Sequence, residues 1–459
     1  MAPGRLLSAA LLIAGCAPFA LAVRIGGDST GITFLAGFAL SWLPVAVITA
    51  ELAIAIPVAG GPYAWGRVAY GSGWGFVWAW WRALAAVFDV SLVGATFSWL
   101  GADISARLGV PGVLISPASV AVIGAVVAAW PTLMWPLAVA GAAAVPMLAV
   151  LAPNEAIVGT GAPSWVVAAG AGLFSGAFAM RGADLAGLVV GDVTAPRRTI
   201  AWATAAAAAV VVIASVASVV LSAVGGWSAI DAVTGTLGEA PFLGTAVVSL
   251  GARAAIGVGV ASRLVGAMAG DHYLPKALAL REGAGPSRPA IVVVAGLSVA
   301  ASMLGALDIL AGLTAMWVAS LALLAGAIVV IRGGHPRLRG PRQDGFVLSG
   351  GVEAVALVAA VAAVSGAAAV VDISAIVGAR WFVLPAICTA TGPAAWVALT
   401  IAVKRGRSNR PVPLAAASRW YDLSRPGTPE VAVSGAANRS FEARVGAALP
   451  TIVRRQAPY

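Results

Sequence analysis

The sequence predicts an all-α, polytopic membrane protein. Hydrophobic residues make up 60% of its 459 positions and charged residues only 10%, whereas soluble domains carry about 25% charged residues. The mean hydropathy is +0.96. The apolar residues also fall into segments of about 20 residues, the length that crosses a bilayer as a helix. These observations together favour one bundle of many helices over several soluble domains.

About twelve apolar segments can be placed along the chain, with short polar connections between them. They lie near 5–24, 33–57, 74–101, 112–130, 132–152, 163–190, 200–225, 241–268, 288–306, 309–331, 347–371 and 380–403. Residues 1–403 are therefore predicted to form one transmembrane domain. Residues 404–459 are rich in Pro, Ser and Arg and predict a disordered cytoplasmic tail.

The basic residues of the connecting segments predict the orientation of the chain. With the N-terminus inside, Lys and Arg concentrate in the inner segments. The inner residues are Arg5, Arg67, Arg197, Arg198, Lys276, Arg281, Arg288, Arg332, Arg337, Arg339, Arg342, Lys404, Arg405, Arg407 and Arg410, and the outer residues are Arg24, Arg107 and Arg380. This bias predicts an even number of spans, both termini in the cytoplasm and a multi-pass protein of the cell membrane. The net charge of +10 has the same source and does not indicate nucleic acid binding.

The reactive side chains are too few to assemble a metal or catalytic centre. The chain has two cysteines, Cys16 and Cys388, and two histidines, His272 and His335. Their spacing matches no metal-ligand cluster and no disulfide framework. We therefore expect no metal, no cofactor and no enzymatic activity. Cys16 could also end a lipoprotein signal, but such a signal normally precedes a soluble domain.

The first apolar segment contains a helix break. Gly15, Cys16, Ala17 and Pro18 interrupt it at bilayer depth. Irregular backbone persists in a membrane only where it lines a cavity, because the freed N–H and C=O groups need partners. N–H groups at the start of a half-helix suit a substrate carboxylate. A simple proline kink without binding is the alternative.

A second break lies in the sixth segment, where Gly176 and Gly182 flank Arg181 and Asp184. Breaks in corresponding halves of a polytopic chain are typical of the binding site of a secondary transporter. Asp184 could bind a substrate amine or carry a coupling proton. It could equally form an internal ion pair with Arg181, three residues earlier on the same helix face.

Two further carboxylates lie in the predicted spans. Asp89 is deep in the third span, where burial disfavours its charged form and makes it a candidate proton carrier. A hydrogen-bonded structural acid is the alternative. Glu51, near the inner end of the second span, is a candidate for coupling, with helix packing or gating as the favoured reading. The tryptophans at 74, 78 and 81 have helical spacing and favour bundle packing or interfacial anchoring over a cation cage.

Several stretches resemble the amino acid–polyamine–organocation superfamily. The second to third spans read ITAELAIAIPVAGGPYAWGRVAYGSGWGFVWAWW, similar to the family signature of Thr-Ala-Glu followed by Gly-Gly-Pro-Tyr. Similar motifs follow in the same order: GDVTAPRRTI after the sixth span, SRLVGAMAGDHYLPKAL at the eighth and HPRLRGPRQDG after the tenth. The resemblance covers roughly residues 5–345. Within the superfamily the chain is most similar to the plant-type polyamine and amino acid transporters, whose acids in the third and sixth helices match Asp89 and Asp184.

The resemblance implies a fold of two inverted five-helix repeats, about 5–152 and 163–331, plus two helices within 347–403. It implies a substrate site between the broken first and sixth helices, and alternating access coupled to protons. The residues expected to contact substrate are Gly15, Cys16, Ala17, Pro18 and Phe19 in the first helix, and Met180, Arg181, Gly182 and Asp184 in the sixth. Coupling would fall to Asp89, Asp184 or Glu51.

Three positions depart from the pattern of that branch. Ala22 stands where the first helix usually carries an acid, Val45 follows Pro44 where a Glu is usual, and Arg181 replaces a neutral residue. A fixed positive charge disfavours a polyamine unless Asp184 neutralises it. The expectation is therefore a proton-coupled importer of amino acids or polyamines. An amino acid/amine antiporter and a non-transporting nutrient receptor remain the alternatives.

Overall fold

The structure is a computed structural model that describes residues 44–56, 60–108, 116–129, 133, 136–144, 199–207, 209–210, 213, 220, 240–271, 273–279, 286–334 and 383–406. Every regular element in these ranges is helical. The main helices are α1 (Pro44–Ala55), α2 (Pro62–Tyr70), α3 (Ser72–Leu108), α4 (Pro117–Ala129), α5 (Ala240–Gly270), α6 (Arg288–Ala301), α7 (Ala306–Gly334) and α8 (Val383–Gly406). Shorter helical stretches cover 136–144 and 199–207.

Three of these helices contain a stretch long and apolar enough to cross a bilayer. The stretches are Ser72–Ser98 in α3, Gly244–Gly270 in α5 and Asp308–Gly333 in α7. Shorter apolar stretches lie in α1, α4, α6 and α8. The described helices therefore agree with an all-α, membrane-embedded chain. The larger number of spans, the two inverted repeats and the cytoplasmic tail stay predictions.

The helices run past the predicted ends of the apolar segments. The α3 helix continues to Leu108, so that Arg107 lies on a helix. The α7 helix continues to Gly334 and includes Arg332, which the sequence placed in a connecting segment. The α8 helix reaches Gly406, beyond the predicted start of the tail at residue 404. Hydropathy marks where a chain leaves an apolar environment, whereas backbone hydrogen bonding decides where a helix ends.

Two glycines in a turn immediately precede α2, a short helix that the sequence did not predict. Gly60 and Gly61 have φ angles of 108° and 40°, which residues with a side chain rarely adopt. Pro62 follows at the start of α2, where its missing N–H has no helical partner to lose. A Cβ on Gly66 would lie 2.8 Å from the Cα of Gly75, so α2 packs directly on the first turn of α3.

The α3 helix is central to the bundle and packs antiparallel to both α5 and α7. A Cβ on Gly257 would lie 2.7 Å from Val90, and near the end of α5 the ring of Tyr273 lies 5.6 Å from that of Phe76. Trp78 donates from Nε1 to Ser320 Oγ on α7 at 2.6 Å. One apolar core joins α3 to α1, α2, α5 and α7, and a second core joins it to α4, α5 and α6.

This packing gathers basic residues at one end of the bundle. The start of α3 lies beside the ends of α5 and α7, and Ser287 at the start of α6 donates to the carbonyl of Leu278. The basic residues at this end are Arg67, Lys276, Arg288 and Arg332. All four belong to the set that the sequence assigns to the inner side. Arg107, assigned to the outer side, lies at the far end of α3.

Candidate functional site

The predicted site residues divide between described and undescribed parts of the chain. The residues expected to contact substrate lie outside the described residues: Gly15, Cys16, Ala17, Pro18, Phe19, Met180, Arg181, Gly182 and Asp184. Asp89 and Glu51, the remaining candidates for proton coupling, are both described and both buried. The site is therefore built from these two carboxylates and the groups that meet them.

Asp89 forms an ion pair with Arg253 between α3 and α5. Arg253 donates to Asp89 Oδ1 from Nε at 3.3 Å and from Nη2 at 3.1 Å. Asp89 is 7% exposed and Arg253 is 3% exposed. Both residues lie within the membrane-length stretches of their helices. Each charge therefore stabilises the other, because moving an isolated charge from water into an apolar interior costs on the order of several kcal/mol.

Asp89 lies on the face of α3 that also carries Trp78. Asp89 is four residues after Ala85 and eleven after Trp78, spacings that place all three on one helix face. Trp78 on that face donates to Ser320 of α7. Val87, on the opposite side of α3, and Val90 belong to the apolar core that α3 shares with α4, α5 and α6.

Ser249 adds a polar atom one turn before Arg253 on the same face of α5. The serine is 1% exposed, and no hydrogen-bond partner for its Oγ occurs in the described structure. Ser262 on the same helix behaves differently, because its hydroxyl donates to the carbonyl of Val258 at 2.6 Å. Ser249 therefore retains an unused donor and acceptor beside the buried pair.

Glu51 forms the second buried pair, with Arg332 in the last turn of α7. Arg332 donates from Nε to Oε1 at 2.7 Å and from Nη2 to Oε2 at 2.8 Å. This contact is bidentate, because the guanidinium donates to both carboxylate oxygens, and it is the strongest geometry for such a pair. Arg332 also benefits from the partial negative charge at the end of its helix. The contact holds α1 against α7.

A third charged cluster joins α2 to the end of α5. The hydroxyl of Tyr63 and Nη1 of Arg67 both donate to Oδ2 of Asp271. Burial raises the pKa of Tyr63 above its ordinary value of 10.0, the charge of Arg67 opposes that shift, and Tyr273 adds to it. Tyr63 therefore remains a neutral donor to the carboxylate of Asp271 at physiological pH.

The tryptophan stripe of α3 divides between packing and exposure. Trp78 and Trp81 are buried, and Trp81 donates from Nε1 to the carbonyl of Thr389 on α8 at 2.9 Å. Trp74 is 51% exposed. Bundle packing, the favoured interpretation of the sequence, thus holds for the two inner tryptophans.

Sequence reasoning missed the basic partners of these carboxylates. The sequence selects Asp89 as an acid deep in the third span but does not identify a basic partner for it. In the structure Arg253 lies inside α5 and contacts Asp89, 164 positions away. Arg332 contacts Glu51 across 281 positions. A signal was present in the sequence, because a charge inside an apolar segment requires a partner.

The arrangement places paired charges inside an apolar bundle. Among the described residues no group of three or more His, Cys, Asp or Glu side chains could hold a metal ion. Comparison of the chain with protein-family models and with curated proteins gives no match.

Proposed function

We propose that the chain is a secondary active transporter that imports amino acids or polyamines across the cell membrane by proton symport. Access would alternate around the first and sixth spans, with both termini in the cytoplasm. The observation that carries the proposal is the Asp89–Arg253 ion pair, which lies between two helices of membrane length.

The energetic argument starts from the cost of burying charge. Replacing a buried ion pair with well-packed apolar residues is often neutral or stabilising. Ionisable residues within membrane helices therefore mark substrate paths or proton relays more often than they serve stability. Asp89 and Arg253 fit this pattern, because apolar side chains surround them on both helices.

Partner exchange supplies a way to couple two events. If Asp89 accepts a proton, its ion pair with Arg253 is weakened, and Arg253 can then engage a different acceptor more readily. A substrate that carries a negative group could provide that acceptor. Protonation of Asp89 on α3 and binding of substrate to Arg253 on α5 would then favour the same rearrangement of the two helices.

Uptake into proteoliposomes tests the proposal. Purified protein would be reconstituted and given an inward proton gradient with radiolabelled leucine, ornithine, putrescine or spermidine. We expect at least one probe to accumulate and a protonophore to abolish that accumulation. Absence of uptake for all four probes would contradict the proposal, and retained binding in that case would favour a receptor. Accumulation driven by a trans amine without a proton gradient would favour the antiporter.

A further inference from the structure

We infer that Lys276 and Arg288 form a binding site for the headgroup of an anionic phospholipid, and that the exposed apolar face of α6 holds the acyl chains of that lipid. The site lies at the surface, between the end of α5 and the start of α6. It does not involve the buried pair of Asp89 and Arg253, and it requires no particular transported substrate.

The four basic residues at this end of the bundle differ in whether they have a partner. Arg67 and Arg332 each contact a carboxylate of the protein, so their charges are already compensated. Lys276 and Arg288 are exposed, and neither side chain makes a hydrogen bond or an ion pair within the described part of the chain. Their two charges are therefore available to an anion outside the protein.

The backbone brings the two cations to adjoining positions. Lys276 begins a short 3₁₀ turn, Lys276–Leu278, which follows α5 and packs against the start of α6. Ser287 stabilises this contact, because its hydroxyl donates to the carbonyl of Leu278 at 3.1 Å and its side chain also caps the first turn of α6. Arg288 is the next residue, at the first position of α6. One headgroup can therefore interact with both long side chains.

An exposed apolar face of α6 begins one turn after Arg288. The opposite side of this helix, with Ile291 and Val294, packs into the core shared with α4 and α5. Residues four positions apart share a side of a helix, so Arg288 and Val292 lie one above the other. The exposed residues of this face are Val292, Val293, Gly296, Leu297 and Ala300. A phospholipid has the matching arrangement of a charged headgroup and apolar chains, whereas a soluble anion matches only the two cations.

The length of α6 places Arg288 at the depth of the headgroups. The helix has 14 residues. It is therefore about 21 Å long, shorter than a hydrocarbon layer of about 30 Å. A short apolar helix is accommodated by local thinning of the bilayer and by flanking basic residues that extend to the headgroups. With this end of the bundle in the cytoplasm, as proposed, those headgroups include the anionic lipids of the cytoplasmic leaflet.

Native mass spectrometry of the purified full chain tests the inference. Protein in non-ionic detergent would be titrated with phosphatidylglycerol or with phosphatidylcholine of the same acyl chains, which differ in headgroup charge. Each Lys or Arg beside an anionic lipid contributes about fivefold in affinity. We therefore expect the wild type to bind its first phosphatidylglycerol at least about tenfold more tightly than its first phosphatidylcholine.

The double variant Lys276→Gln with Arg288→Gln should reduce this preference to less than about threefold. Lys276→Arg with Arg288→Lys keeps both charges and should keep the preference. Lys404→Gln with Arg405→Gln is the matched control, because it removes two charges from the last turn of α8 at the same end of the bundle. The control should leave the preference unchanged. Elution as a single peak in detergent would verify folding of each variant.

Glycerol phosphate, a headgroup without acyl chains, separates a lipid from a soluble anion. We expect it not to displace phosphatidylglycerol, and displacement would overturn the assignment to a membrane lipid. Equal affinity of the wild type for the two lipids would also overturn the inference.

Two results with the variants would contradict the site itself. One is an unchanged preference in the folded double variant of Lys276 and Arg288, and the other is an equal loss in the α8 control. If the double variant fails to fold, the wild-type comparison and the two single substitutions still decide the question. Lipid binding is measured without transport, so that its failure leaves the proposed function standing, and a failure of uptake leaves the lipid site standing.

Discussion

The Glu51–Arg332 and Asp89–Arg253 ion pairs are both buried, but they differ in geometry and in where they lie along their helices. In the first pair, Arg332 in the last turn of α7 makes a bidentate contact with Glu51. The Asp89–Arg253 hydrogen bonds are longer, at 3.3 Å and 3.1 Å, and both residues lie inside membrane-length stretches, with the unpartnered hydroxyl of Ser249 one turn before Arg253. Because all four side chains are buried, burial alone does not indicate which pair takes part in function. We expect the shorter contacts of Arg332, which reach both oxygens of Glu51, to stabilise helix packing more strongly than the longer contacts of Arg253.

Removing Glu51 should give the largest loss of stability. Glu51→Ala removes the carboxylate that Arg332 contacts in a buried position and should cost about 3–5 kcal/mol of unfolding free energy. The double variant Glu51→Leu with Arg332→Met removes both charges and should recover most of that loss. Denaturation in mixed micelles measures both. Equal destabilisation by the single and double variants would show that the pair is not the source of the effect.

Asp89→Asn should cost less, about 1.5–3 kcal/mol, because the amide retains an oxygen that can accept from Arg253. The same denaturation assay measures the difference. Asp308→Asn, in the first turn of α7, is the matched control and removes a favourable helix-end charge worth about 0.3–1 kcal/mol. A cost for Asp89→Asn as large as that of Glu51→Ala would mean that both pairs fasten the bundle.

Gly257→Ala tests the close approach of α3 and α5 near the Asp89–Arg253 ion pair. The new methyl group would lie 2.7 Å from Val90 Cγ2, so the Val90 side chain or one of the two helices must shift, at a cost of about 1–2 kcal/mol. Gly251→Ala on the same helix is the control, because nothing lies within 4 Å of a methyl group there. Thermal denaturation should separate the two variants. Equal midpoints would indicate that the contact between α3 and α5 is loose.

Tyr63→Phe should have the smallest effect, about 1 kcal/mol, from the lost hydrogen bond to Asp271. The contribution of Tyr63 to the unfolding free energy should depend on pH. Because burial raises the pKa of Tyr63 in the folded state, the stabilising contribution is complete below pH 10.0 and is lost as pH rises toward the folded value. Wild-type stability should therefore fall above pH 10.0, and more steeply than that of Tyr63→Phe. Parallel curves would contradict the assignment.

The sequence predicted the helical, membrane-embedded class because apolar segments of bilayer length are a local property of the chain. It also selected Asp89 and Glu51, since a charge within an apolar segment stands out. It could not identify Arg253 and Arg332 as their partners, because those contacts depend on how distant helices pack. The same limit explains α2, whose start depends on the φ angles of Gly60 and Gly61.

The most direct test of the account is proton-driven accumulation of ornithine in proteoliposomes by wild-type protein and by Asp89→Asn, with Asp308→Asn as control. We expect the wild type and Asp308→Asn to accumulate ornithine, and a protonophore to abolish that accumulation. The expected loss for Asp89→Asn is about tenfold or more, the scale of one charged contact. Equal accumulation by wild type and Asp89→Asn would contradict the role of the buried pair, and no accumulation of any probe would contradict the transport function itself.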